Sequence, residues 1–109
     1  MTLTQLQYVV AIAETKSMNK AAAALFVSQP ALSGTIKDLE EELQTELFIR
    51  TNKGIVITTE GQEFLSYARQ MVELGNLVEE RFVNKTIAKK KFSVSMQHYS
   101  FAVEAFIKL

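Results

Sequence analysis

The side chains best placed to do chemistry lie between positions 28 and 37. Ser28-Gln29-Pro30 is followed by Ser33, Gly34 and Lys37, which puts hydroxyls, an amide, a proline ring and an ammonium within about three helical turns. Groups of this kind recognise a surface through hydrogen bonds and methyl contacts. Bond-making chemistry finds little support elsewhere. The 109 residues include no cysteine and one histidine, His98. Disulfides and thiolate metal sites are therefore excluded, and a zinc site would have to draw its remaining ligands from carboxylates. Glu40, Glu41 and Glu42 are consecutive and read as an exposed helix face, not a cleft pair. Gly54 and Gly61 flank β-branched residues and threonines, which suits a hairpin better than a phosphate cradle. An enzyme is the weaker reading.

Charge is informative only through its distribution. Lys and Arg number 12 and Asp and Glu number 12, so the chain lacks the overall basic signature of a nucleic-acid binder. The carboxylates Asp38, Glu40, Glu41, Glu42 and Glu46 crowd one stretch, while Lys16, Lys20, Lys37, Arg50 and Lys53 are spread through the same region. If folding places the two sets on opposite sides, a neutral protein presents a basic face. The run Lys89-Lys90-Lys91 reads as a solvated linker.

The elements that must position these groups are mostly helical. A single proline and four glycines leave little room for an all-β fold. Thr2 with Gln5 fits a capping box, and Leu3, Leu6, Val10 and Ala13 form the expected buried stripe of a first helix fading near Thr15. Ser17 is the expected N-cap of a short helix, Met18 to Leu25, whose four alanines favour helix and permit close approach. Ser28 then caps a third helix with Pro30 in its first turn. Leu32, Ile36, Leu39 and Leu43 make its buried stripe, which leaves Gln29, Ser33, Gly34 and Lys37 outward. Two helices joined by a short turn make a helix-turn-helix pattern. Leu47 to Arg50 and Ile55 to Thr58, around Thr51-Asn52-Lys53-Gly54, predict a β-hairpin wing.

From Thr59 to about Lys89 a long helix is expected, on the order of 45 Å. Phe64, Ala68, Met71, Gly75, Val78 and Phe82 recur in a heptad-like rhythm. A domain of this size cannot cover the whole seam, so a partner helix from a second copy is expected, with Ala68 and Gly75 allowing close approach. Phe92 to Met96 alternates like a strand, and Ser100 to Leu109 reads as the start of a helix. A lone strand and part of a helix do not make a domain. The expected organisation is a winged helix-turn-helix over 1–58, a dimerisation helix over 59–89 and the start of a truncated α/β domain over 90–109. Met18, Met71 and Met96 read as core or seam fillers. The longest near-apolar stretch, Tyr8 to Ala13, is far short of a membrane span, and no signal peptide is visible, so a cytoplasmic location is expected.

The residues in register are distinctive. Lys20-Ala21-Ala22, Leu25, Ser28-Gln29-Pro30-Ala31-Leu32-Ser33, Ile36, Leu39-Glu40, Leu43, Leu47-Phe48, Arg50, Thr58 and Gly61 resemble the signature of the LysR-type bacterial transcriptional regulators. The resemblance covers about residues 1–90, and the tail resembles the first strand and helix of that family's effector domain. It implies a mainly α protein: a three-helix core with a hairpin wing, then a long dimerisation helix. It also implies double-stranded DNA as partner, a homodimer that becomes a tetramer at full length, and a small-molecule co-inducer in the missing domain, with no cofactor in this fragment. By the same resemblance Ser28, Gln29, Pro30, Ser33, Gly34 and Lys37 belong to the recognition helix. Ser17, Lys20, Arg50 and Lys53 would contact the DNA backbone or frame the wing.

Short polar groups and a ring face suit base edges and a thymine methyl, and the free N–H groups of a helix start favour a phosphate. Three positions depart from the pattern. Gly34 and Thr35 stand where the family often carries Arg and Gln, so position 34 should contribute little direct readout. Gln44 replaces the usual glycine after the third helix, which should shape that turn differently. A dimerisation or adaptor module on a winged fold remains the rival reading. Dimers that bind no duplex at any salt concentration would favour it.

Overall fold

The computed structural model describes residues 1–84. The linker lysines, the strand and helix expected after residue 90, His98 and Met96 all lie outside the described residues. Four α-helices and one antiparallel hairpin run in the order α1 (Leu3–Thr15), α2 (Met18–Leu25), α3 (Gln29–Leu43), β1 (Phe48–Thr51), β2 (Gly54–Ile57) and α4 (Thr59–Val78). A π-helical segment, Glu79–Asn84, continues α4. Of the helix expected to reach Lys89, Thr59–Val78 has α geometry, about 30 Å of rod, and residues 85–89 lie outside the described residues.

Each helix start is set by a side chain three residues away. Thr2 and Gln5 form the reciprocal box: the Gln5 N–H donates to Thr2 Oγ1 at 3.1 Å, and the Thr2 N–H donates to Gln5 Oε1 at 2.8 Å. Ser17 Oγ accepts from the Lys20 N–H, and Ser28 Oγ accepts from the Ala31 N–H. Thr58 Oγ1 accepts from the Gly61 N–H and donates to the Glu46 carbonyl at 2.6 Å, so the cap of α4 also anchors the turn before the wing.

The first three helices end on left-handed residues that are not glycine: Lys16, Phe26 and Gln44, at φ 55°, 59° and 52°. Gln44 therefore adopts the geometry a glycine would supply, and its side-chain amide donates to the Glu41 carbonyl at 2.7 Å. The expected change of turn shape does not occur. Lys16 serves a second end, because its carbonyl accepts the Ile55 N–H at 3.1 Å and ties β2 to the α1–α2 bend.

The core sits between α1 and everything else. Leu6, Val9, Ile12 and Ala13 of α1 are buried with Ala21, Ala22, Leu32, Ile36, Leu39, Leu47, Leu65 and Ala68. The α1 stripe differs from the expected one, with Val9 and Ile12 replacing Leu3 and Val10 among the buried positions. α1 is apolar at most positions from Tyr8 to Ala13 and packs against α2, α3 and α4, so periodicity alone could not choose its buried face. The stripe of α3 is as expected, with Leu43 half-buried.

The hairpin pairs Phe48 with Ile57, Ile49 with Val56, Arg50 with Ile55 and Thr51 with Gly54. It begins and ends one residue away from the expected bounds, leaving Asn52 and Lys53 as the connection. The backbone excursion falls on Gly54 at φ 123°, where a Cβ would also stand 2.8 Å from the Lys16 carbonyl oxygen. Gly61 is constrained by space alone, since a Cβ there would collide with the Leu47 carbonyl oxygen. That close approach lets the start of α4 pass over the turn before β1.

Candidate nucleic-acid interface

α3 divides into two ends with different employment. Its C-terminal end is bound into the fold. Glu40 is half-buried, and its Oε2 accepts the N–H groups of Leu47 and Phe48 at 2.7 and 3.2 Å. It is therefore not part of an exposed acidic face; it holds the start of the wing. Glu42 pairs with the N-terminal ammonium of Met1 at 2.9 Å. Two of the crowded carboxylates are thus engaged at this end.

The N-terminal end of α3 keeps its polar groups outward. Ser28, Pro30, Gly34 and Lys37 are exposed, and Gln29 and Ser33 are half-buried. A Cβ at Gly34 would meet nothing within 4 Å, so this surface is open. The Gln29 amide donates to Ser33 Oγ at 3.5 Å. The wing reaches the same oxygen, because the Arg50 guanidinium also donates to Ser33 Oγ. Strand alternation explains this reach. Arg50 projects from the face that Phe48 and Ile55 bury, and from the edge of the core it extends over α3.

The other expected contact residues surround this cluster. A concavity of about 290 Å³ is lined by Ser17, Asn19, Gln29, Arg50, Thr51 and Asn52 among others, so the start of α2, the start of α3 and the wing share one wall. Lys37 joins Ser33 and Arg50 around a neighbouring hollow. Lys20 is exposed in the first turn of α2. Lys53 is exposed at the hairpin tip, where its N–H donates to Thr51 Oγ1 at 3.2 Å. Ser17 and Ser28 use their oxygens as helix caps, which leaves their hydroxyl hydrogens available.

Asn19 and Asn52, which line this concavity, were not singled out as contact residues by the sequence reading, and the exposure of Phe26 was not foreseen. Phe26 is 93% exposed in the turn between α2 and α3. An apolar residue directly after a predicted helix gave no sign of such exposure.

The six expected seam positions, five on α4 and Phe82 on the π-helical segment, divide. Ala68 and Gly75 are buried, and a Cβ on Gly75 would lie 3.1 Å from the Leu3 side chain; α1 of the same chain occupies the place expected for a partner helix. Phe64 and Val78 are half-buried, whereas Met71 and Phe82 are exposed. Tyr67, Leu74 and Leu77 are exposed as well; their spacing of seven and three was a second apolar rhythm beside the one singled out. A hollow of about 430 Å³ between Met1, Leu3, Leu6, Met71, Leu74 and Val78 opens on this side.

Among the described residues, no group of three or more His, Asp or Glu side chains could hold a metal ion. No helix among them is long and apolar enough to cross a membrane.

Comparison with known proteins agrees with this architecture. Over 74 residues the chain is 40% identical to the uncharacterized HTH-type transcriptional regulator YxjO of Bacillus subtilis, covering 68% of this chain and 25% of that protein. It is 41% identical over 81 residues to the HTH-type transcriptional regulator BudR of Klebsiella aerogenes, covering 74% of this chain and 57% of that one. The chain spans about a quarter of the length of the first three curated relatives. Among solved structures, the CbnR DNA-binding domain in complex with DNA superposes with a TM-score of 0.71 at 36% identity, covering 79% of this chain and 99% of that one. The BenM DNA-binding domain on its catB site 1 DNA gives 0.68 at 40% identity, with 81% and 97% covered. Residues 3–62 match the profile described as bacterial regulatory helix-turn-helix protein, lysR family, and the chain belongs to that family.

Proposed function

We propose that this chain is the DNA-reading part of a bacterial transcriptional regulator, which docks the N-terminal half of α3 in the major groove of promoter DNA. The observation that carries the reading is the open polar end of α3, where Gln29 and Ser33 meet Arg50 from the wing. Likeness to two DNA-binding domains solved on DNA supports it. In this reading Gln29, Pro30 and Ser33 face base edges. Ser17, Ser28, Lys20 and Lys37 hold phosphates, and Lys53 brings the wing to the backbone. These contacts set position without reading sequence.

A dimer forms through the outer side of α4 and its π-helical continuation, where Met71, Leu74 and Leu77 of the former and Phe82 of the latter are exposed. The full-length protein is a tetramer in the cytoplasm, and a small co-inducer bound to the effector domain controls it. No catalytic role is assigned to the chain. Selection of bound duplexes from a random pool at near-physiological salt tests the function. An enriched interrupted palindrome is the expected result, its half-site spacing reporting the dimer geometry. Dimers that enrich no sequence at all would overturn it in favour of an interaction module.

A further inference from the structure

We infer that Arg50 is a positioning residue that sets the hydrogen-bond polarity of Ser33, making Ser33 a donor that rejects cytosine at the base it faces. The inference rests on the DNA-reading function proposed above and specifies what one of its contacts reads.

A serine hydroxyl has one hydrogen to give and two lone pairs to receive. At Ser33 both lone pairs have claimants: the Gln29 amide at 3.5 Å and the Arg50 guanidinium. Only the hydroxyl hydrogen is left for a partner. Serine in a helix commonly spends that hydrogen on a backbone carbonyl one turn back, and other hydroxyls of this chain do so. Thr15 donates to the Ala11 carbonyl at 2.9 Å, and Ser66 donates to the Glu63 carbonyl at 2.7 Å. Ser33 makes no such bond among the described residues. Its hydrogen is uncommitted at a helix end whose polar groups are open to a ligand.

The charge on Arg50 strengthens this polarity. A hydroxyl oxygen that accepts from a cation becomes a better donor through its own hydrogen. In the major groove, guanine and adenine present N7 and thymine presents O4 as acceptors, whereas cytosine presents its N4 amino donor. A serine restricted to donating therefore tolerates three bases and meets cytosine donor to donor. With Arg50 removed, a lone pair is released, the hydroxyl can accept from cytosine, and the exclusion disappears. Arg50 acts here without touching a base, and its long arm is held by the wing, 17 residues further along the chain.

The test is duplex selection from a random pool with the whole chain and three variants, Ser33→Ala, Arg50→Met and the double variant, each checked by thermal melting. The position whose preference Ser33→Ala erases is the one Ser33 reads. In the unsubstituted protein cytosine should be depleted there about fivefold or more. Arg50→Met should remove that depletion while preferences at the other positions persist, and the double variant should match Ser33→Ala at that position.

A cytosine preference at that position would overturn the inference, as would a Ser33→Ala variant that erases nothing. So would an Arg50→Met variant that binds all duplexes more weakly with the cytosine exclusion intact, since that is the behaviour of a phosphate contact. A pool without any consensus for the unsubstituted protein would overturn the DNA-reading function itself, and this inference with it.

Discussion

α3 and α4 bury similar stripes in one core yet turn opposite chemistries outward. α3 sends Leu32, Ile36 and Leu39 inward and α4 sends Leu65 and Ala68. On the outside α3 shows Ser28, Gly34 and Lys37, and α4 shows Tyr67, Met71, Leu74 and Leu77. The inner faces have the same work to do, because removing apolar surface from water drives both. In the proposed function the outer faces differ because each meets a different partner. A polar groove is met by hydrogen bonds, and an apolar helix is met by another apolar surface.

The largest effects should come from the shared inner face. Leu39→Ala and Leu65→Ala should each lower folding stability by about 2–5 kcal/mol in urea denaturation, because both side chains are almost fully buried. A large loss at one and none at the other would break the idea of a common core. On the outer face of α4, Met71→Glu should weaken dimerisation by about 3 kcal/mol, since a carboxylate would have to be buried at the contact. Sedimentation should then show monomers that keep the helical circular dichroism of the unsubstituted chain, with a melting midpoint lowered by the lost association. Dimers that survive would separate the outer stripe of α4 from assembly.

Between the two ends of α3 the comparison sharpens. Glu40→Ala should cost about 1.5–3 kcal/mol of stability, because it strips a charged acceptor from two backbone N–H groups. An exposed acidic face would predict almost no change. Lys53→Ala should leave stability alone, weaken binding to all duplexes and lower the magnitude of the salt slope by about 1. An unchanged slope would remove the wing tip from the phosphate contacts. The smallest effect is a gain: Gly34→Ala should raise stability by about 1 kcal/mol, since glycine inside a helix is less favourable than alanine by that order and a Cβ there meets open space. A loss would mean that the site is less open than its geometry shows.

Legibility in the sequence followed the range of the interaction. Thr2, Ser17 and Ser28 announced three helix starts because each cap is a contact between residues three apart. The hairpin was legible from its β-branched run and turn residues for the same reason, and its ends were misplaced by a single residue. The buried face of α1 was read only in part, with Leu6 and Ala13 as expected and Val9 and Ile12 in place of Leu3 and Val10. Packing on three neighbouring helices, not periodicity, chose it. Glu40 gave no sign of its bonds to Leu47 and Phe48, which are seven and eight residues away across a turn. The small residues Ala68 and Gly75 signalled close approach correctly, but nothing local says whose helix approaches. α1 of the same chain takes that place, and Gly75 abuts Leu3 across more than seventy intervening positions.

The sequence by itself determined the helix starts with their N-caps, the hairpin, the buried stripe of α3 and the family, because those rest on spacings within a turn or two and on residue types in register. Only the tertiary structure decided which apolar stripe of α4 stays uncovered, what Glu40 holds and where Arg50 reaches. Each of these depends on elements brought together from distant parts of the chain, and packing in three dimensions sets such distances where no periodicity records them.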